Sequence, residues 1–181
     1  MSQKLFPSQQ PNEKIYVAAR EHWFRLFIKF FIIFLLALVP LPIKLLVVNP
    51  LDVSASTNTI LSLITQVYYL GLLVSTFLVW VLYYLNLHIV SEMRIVDIDQ
   101  RGLLKHVVSE LNLETIEDVS SDTTGLFGNF LNYGTVYVQT AGAVERFQFE
   151  NIADPAKVAN IILTLYERER KLDRPTPNPN I

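Results

Sequence analysis

The sequence predicts an α+β protein in two parts: a two-helix transmembrane hairpin near the N-terminus, then a small antiparallel β domain closed by a C-terminal helix. Three observations predict it. Residues 60–84 hold no charged residue and no proline. From residue 85 onward continuous hydrophobicity gives way to alternation. Near the end, Val158, Ile161, Ile162 and Leu165 fall at i, i+3, i+4 and i+7, one apolar stripe able to cover a sheet.

At about 1.5 Å of rise per residue, the run 60–84 exceeds the ~30 Å hydrocarbon core of a bilayer. Trp80, Tyr83 and Tyr84 at its end, with Tyr68 and Tyr69 nearer its start, suit ring anchoring at headgroup level. Gln66 and Gly71 suit contact with a neighbouring helix. The first segment, residues 26–48, contains Lys29, Lys44, Pro40 and Pro42. Either it is a kinked helix over its whole length, with both lysines snorkelling, or it stops near Val39 and the Pro-Leu-Pro stretch forms the exit. A cleaved leader fits poorly, because a long polar stretch precedes the apolar run and no small-residue cleavage site follows it.

The 181 residues allow one ordinary domain beside such an anchor. Hydrophobic residues make up 51% against 18% charged, so the apolar content is unevenly spread and concentrates between Trp23 and Tyr84. A net charge of -2 without a basic stripe argues against nucleic acid as a partner. With no cysteine there is no disulfide framework, thiolate metal site or thiol nucleophile. Lys4, Lys14, Arg20, Arg25 and Lys29 precede the first span and Arg94, Arg101 and Lys105 follow the second. The loop between them, with Asp52, Ser54, Ser56, Thr57, Asn58 and Thr59, has only Lys44 at its edge. This asymmetry places both termini in the cytoplasm and the protein in the cell (plasma or inner) membrane as a multi-pass chain. The expected divisions are 1–22, an N-terminal cytoplasmic segment; 23–84, the anchor; 85–169, the soluble domain; and 170–181, a proline-rich disordered tail.

Within the soluble domain, residues 85–89 and 93–99 read as a hairpin about Ser91 and Glu92, with Arg101 and Gly102 ending it. Residues 103–108 and 116–120 supply two further strands, and Ser120 to Thr124 a turn. Residues 134–140 and 144–149 flank a tight Ala141-Gly142 turn, with Phe147 and Phe149 inward and Arg146, Gln148 and Glu150 outward. Asp154 and Pro155 mark the N-cap and first residue of the closing helix.

Several motifs are spread in order along residues 12–165. They are Glu13, Arg20, His22 and Trp23; the turn Ser91-Glu92-Met93-Arg94; Leu113, Ile116, Asp118 and Val119; Gly125; Leu131-Asn132-Tyr133-Gly134; and Gln139-Thr140-Ala141-Gly142. On these the chain resembles the bacterial pleckstrin-homology-like (PH-like) family in its membrane-anchored form, where the first turn is typically T-x-x-R and Ser91 here stands for threonine. The resemblance implies a PH-like antiparallel β-sandwich or barrel with a C-terminal capping helix. It implies no catalytic activity and no settled ligand.

No catalytic, cofactor or metal residue stands out. His22, His88 and His106 have no second ligand at i+3 or i+4, and Asp97 and Asp99 share a strand face where polar residues are expected anyway. Arg94, Arg101 and Lys105 are candidate contacts for anionic headgroups. The stretch 125–134 is unusually apolar for a connection, and Leu126, Phe127, Phe130, Leu131 and Tyr133 are candidate partner or membrane contacts. Leu126, Phe127, Phe130 and Leu131 share a face on a short helix, which either lids the β core, the commoner role, or meets a docking partner or the bilayer interface.

The expected function is a membrane-anchored PH-like binding or scaffolding module on the cytoplasmic face, associating with a protein or with itself as a homo-oligomer. Beyond the lipid bilayer no partner is identified, and no cofactor is expected. The alternative is an accessory subunit of a membrane transport or export complex. A lipid-modifying enzyme would need ionisable residues at membrane depth, and the second span has none.

Overall fold

The computed structural model describes residues 6, 8–48, 54–102, 104–140 and 147–172. They fall into two compact units, one of Met1–His22 with Leu85–Ile181 and the other of Trp23–Tyr84. The soluble unit is α+β, with two antiparallel sheets and a C-terminal helix, as the sequence predicts. The first sheet runs β1-β2-β3-β4, from Ile15–Ala19, Leu87–Ser91, Arg94–Arg101 and Lys105–Asn112. The second runs β5-β6-β7, from Ile116–Asp122, Tyr133–Thr140 and Phe147–Ala153.

β1 is the main departure from the sequence reading, which set residues 1–22 apart. Ile15–Ala19 is the edge strand of the first sheet, antiparallel to β2 with Ala19 opposite His88. The apolar helices therefore lie in the chain between two paired strands. Phe6, further upstream, is also buried, and with Ile89 and Val96 it forms a small core on one face of this sheet. The main core, on the other face, joins Val90 and Ile95 to Val136, Phe149 and Ile162. Ile89 and Val90 are both fully buried because the N-terminal segment covers the face that a one-sided sheet would leave wet.

The strand phase of β7 is as expected, with Phe149 buried, Phe147 half-buried, and Gln148 and Glu150 exposed. The Ala141-Gly142 turn, Val144 and Arg146 lie outside the described residues. Ser120 to Asp122, read as part of a turn, instead complete β5. The closing helix spans Pro155–Leu172, further than expected, so residues 170–172 are helical and the remaining tail lies outside the described residues. Asp154 stands at the N-cap position, as expected, in a left-handed conformation. Its φ is 49°, its carbonyl accepts the Val158 N–H at 3.1 Å, and its carboxylate accepts from the Asn132 side-chain amide.

In the second unit, two helical stretches are long and apolar enough to cross a membrane, Trp23–Leu46 and Ala55–Leu85, and neither is buried. The helical path continues past the prolines: α1 (Trp23–Leu38) breaks at Val39, resumes as the turn α2 (Pro40–Ile43), and widens into a π-helical turn at Lys44–Val48. Pro40 has no N–H to give to the Leu36 carbonyl four residues back. The hydroxyl of Tyr68, on α3 (Ala55–Leu85), donates to Leu36 O at 2.6 Å, and that of Tyr69 to Ala37 O at 3.0 Å. Along α3 the hydroxyls of Thr59, Thr65, Ser75 and Thr76 donate to carbonyls four residues earlier, so these polar groups are satisfied inside an apolar helix. Tyr68 and Tyr69 thus hold α3 to the end of α1 beside the prolines, where the Val39 N–H also donates to Leu36 O at 3.1 Å. Converting both to phenylalanine is expected to loosen the helix pair by about 1 kcal/mol, read as faster hydrogen exchange around residues 36–40 in detergent. Unchanged exchange there would show that other donors serve those carbonyls.

Candidate functional site

The stretch 125–134 forms α4 (Gly125–Leu131) and the start of β6. The helix stops at Asn132, whose left-handed conformation (φ 52°) lets its N–H cap the Gly128 carbonyl. Gly128 is buried, and an added Cβ would stand 3.2 Å from Tyr133 O, so α4 lies on the domain through its smallest residue. At 100° per residue, Leu126, Phe127 and Phe130 occupy one arc on the side away from Gly128. They are 88%, 62% and 86% exposed, whereas Leu131 and Tyr133 are half-buried. The lid role is therefore overturned for Leu126, Phe127 and Phe130, which turn away from a core that Phe149, Val136 and α5 (Pro155–Leu172) already close, while Leu131 and Tyr133 stay partly covered.

Beside the end of α4 the N-terminal segment is pinned. The His22 N–H donates to Asn151 O at 2.7 Å, Glu21 bridges Ile152, and the His22 ring stacks on Tyr133 at 5.1 Å and 20°. Burial pushes the His22 pKa down, partly offset by the Asp154 carboxylate. His22 is thus a buried, neutral-favouring ring at the last position before Trp23.

The three candidate headgroup contacts are separated by the register of the first sheet. β3 and β4 pair from Arg94↔Asn112 to Arg101↔Lys105, and Ala19↔His88 and His88↔Asp97 put the ends of β1 and β2 toward the Arg101 end. Arg101 and Lys105 accordingly flank the β3–β4 turn at the end where the chain leaves for α1, with Lys105 and Leu104 exposed. The Arg101 side chain lies outside the described residues. Arg94 is at the far end of the strand, some 20 Å away at the usual strand rise.

There Arg94, half-buried, belongs to a polar knot in which Glu13 and Ser91 are buried and Glu110 is exposed. Its Nη1 donates to Glu110 Oε2 at 3.0 Å, and its Nε approaches Glu13 Oε1 at 3.4 Å without hydrogen-bond alignment. Ser91 Oγ donates to Glu13 Oε1 at 2.6 Å and accepts the Arg94 N–H at 3.1 Å, while Gln10 N–H donates to Glu13 Oε2 at 2.9 Å. The Ser91-to-Arg94 motif therefore clips the N-terminal segment to the first hairpin. The adjoining pocket, about 260 Å³, is lined by Met93, Arg94, Asn112, Glu114 and Glu169, a poor complement to an anion. The Ser8 hydroxyl first, and then Arg94, hold the Glu110 carboxyl below the ordinary range, against its partial desolvation. A carboxyl lowered in the folded state contributes stability above its unfolded pKa, and this is lost as pH falls through the folded value.

Elsewhere, His88 Nδ1 lies 2.8 Å from Asp97 Oδ1, with its ring against Phe149, so the Asp97 carboxylate is engaged inside the domain. Among the described residues no group of three or more His, Cys, Asp or Glu could hold a metal ion. The packing roles of Glu13 and His22 are not legible in the sequence, because their partners at Ser91, Arg94 and Tyr133 are distant in the chain. The bacterial PH domain model matches residues 29–166, a range that takes in both α3 and every strand from β2 to β7. No curated protein is significantly similar to the chain. On that match, which covers well over half of its length, the chain belongs to the bacterial PH domain family.

Proposed function

We propose that the protein is a membrane-anchored binding or scaffolding module, held by its two apolar helices at the cytoplasmic face, where it associates with a protein or with a second copy of itself. The observation that supports anchoring is the insertion of both helices between β1 and β2. Ala19 and His88 are cross-strand partners, so the chain departs and returns at positions roughly 5 Å apart on one domain. Two crossings then bring it back to the side it left. The lysine and arginine asymmetry makes that side the cytoplasm. A binding role without a reaction is in keeping with the family, whose domains are typically non-catalytic.

Ser56 and Ser120 are both exposed, and with no native cysteine either position can carry a single thiol. In intact cells an impermeant maleimide is expected to label Ser56→Cys and to leave Ser120→Cys untouched until the cells are opened. The reverse pattern would overturn the orientation. Purification in mild detergent separates the two binding modes. A lone homo-oligomer supports self-association, and a stoichiometric membrane protein supports an accessory subunit of a larger complex. The second reading is favoured by α3 itself, where Gln66 is exposed and an added Cβ at Gly71 would meet nothing within 4 Å, leaving a small-residue patch open to another helix.

A further inference from the structure

We infer that the end of the soluble domain bearing α4 and the β3–β4 turn docks on the interfacial layer of a lipid bilayer, with Leu126 and Phe130 inserted and Lys105 at headgroup level. The inference rests on the anchored reading above and names the surface that the anchored domain presents to the membrane.

Two separate parts of the domain converge on this end. The first is α4, whose exposed arc of Leu126, Phe127 and Phe130 contains no charge; residues 125–134 hold none at all. An uncharged arc of leucine and phenylalanine suits the boundary between headgroups and acyl chains, where such side chains partition. The helix is held in place by the Asn132 cap, the Asn132–Asp154 bond and the close approach of Gly128, so little ordering is needed on docking. The second is the β3–β4 turn, where Leu104 is fully exposed beside Lys105, a pairing of apolar tip and cation.

The chain connections keep both within reach of the bilayer. His22, the residue before the first long apolar helix, stacks on Tyr133, two residues past the end of α4. The seven residues of α4 extend about 10 Å from there. At the return point, Asn86 Oδ1 accepts the Gln100 N–H at 2.7 Å, tying the exit of α3 to the end of β3. A face held this close to a bilayer meets it at high effective concentration, so a few side chains suffice where a free helix of this length would not bind.

The test uses the full chain in vesicles of phosphatidylcholine and phosphatidylglycerol, with single cysteines carrying an environment-sensitive fluorophore, and acyl-brominated lipid as quencher. Leu126→Cys is expected to emit to the blue and to be quenched at least about fivefold more than Glu114→Cys, which is exposed at the far end of the first sheet. Adding Phe130→Ser should lower the inserted-to-free ratio about tenfold without changing the melting of the domain, because that ring is already outside the core. Phe77→Cys, on α3, reports anchoring separately. If it is quenched while Leu126→Cys matches Glu114→Cys, the docking inference fails and anchoring stands. If Phe77→Cys is unquenched, the anchored reading fails and takes this inference with it. Blue emission at Leu126→Cys that resists brominated lipid and grows with the protein-to-lipid ratio would assign the face to a second copy of the chain and overturn the inference.

Discussion

Gly134→Ala is expected to unfold the soluble domain while leaving the two long helices intact. Gly134 is buried at the start of β6, between β5 and β7, where it pairs with Ile152. A Cβ there would stand 2.1 Å from Asp122 O and 3.0 Å from both Asp122 C and Thr123 Cα. All three are backbone atoms at the end of β5, so no side chain can swing aside. The strand must move, and with it the Asp122↔Thr135 pairing and the entry to α4. Ordinary overpacking costs about 1–3 kcal/mol, and a clash this deep against main chain lies at or above the top of that range. That is a large share of the ~5–15 kcal/mol that stabilises a typical domain. Thermal circular dichroism of the purified chain should show the β signal lost at a much lower temperature, with the helical signal retained. Gly71→Ala, with open space around it, is the matched control and should leave the β transition in place. A Gly134→Ala domain that melts like the native one would mean β5 and β6 part readily at this point.

Arg94→Ala has the second large expected effect, and it separates a structural role from a headgroup-binding one. Glu13 has a fully buried side chain, and Arg94 is the cation beside it. Removing one partner of a buried pair leaves the other charge desolvated and costs about 3–5 kcal/mol. Arg94 also holds Glu110, so the loss should release the N-terminal segment with Phe6 and β1 and expose the second face of the first sheet. The expected result is a lower melting temperature with hydrogen exchange rising first in residues 8–19 and 87–91, and with binding to anionic vesicles unchanged until the domain unfolds. Unchanged melting together with weaker vesicle binding would make Arg94 a headgroup ligand instead. Lys105→Ala, at the exposed β3–β4 turn, should show the opposite pattern, a small loss of vesicle association and no loss of stability.

Several parts of this protein are legible in the chain because their signal is local. The uncharged run 60–84, the alternation of Phe147 and Phe149 with Gln148 and Glu150, and the stripe Val158-Ile161-Ile162-Leu165 each lie within one element, and each corresponds to its element in the structure. β1 was hidden for the opposite reason. Ile15–Ala19 alternates half-buried and exposed positions over only five residues, and its partner β2 lies across the whole helical insertion. The polar knot is equally invisible, since Glu13 and Ser91 are 78 residues apart in the chain.

The exposed face of α4 shows the division most clearly. The sequence by itself determined that Leu126, Phe127, Phe130 and Leu131 share a face of a short helix, because helical periodicity depends only on their spacing. It also determined the two apolar spans, the shift to β structure, and the final helix, all consequences of hydrophobic pattern along a contiguous stretch. Whether the α4 arc turns inward or outward was decided only by the tertiary structure, where Gly128 lies against Tyr133 O and the core is already filled by Phe149 and α5. The tertiary structure also decided that β1 joins β2 around the insertion and that His22 is pinned to Tyr133 next to α4. These depend on which distant segments meet, and a pairing across some seventy residues leaves no periodic trace in either one.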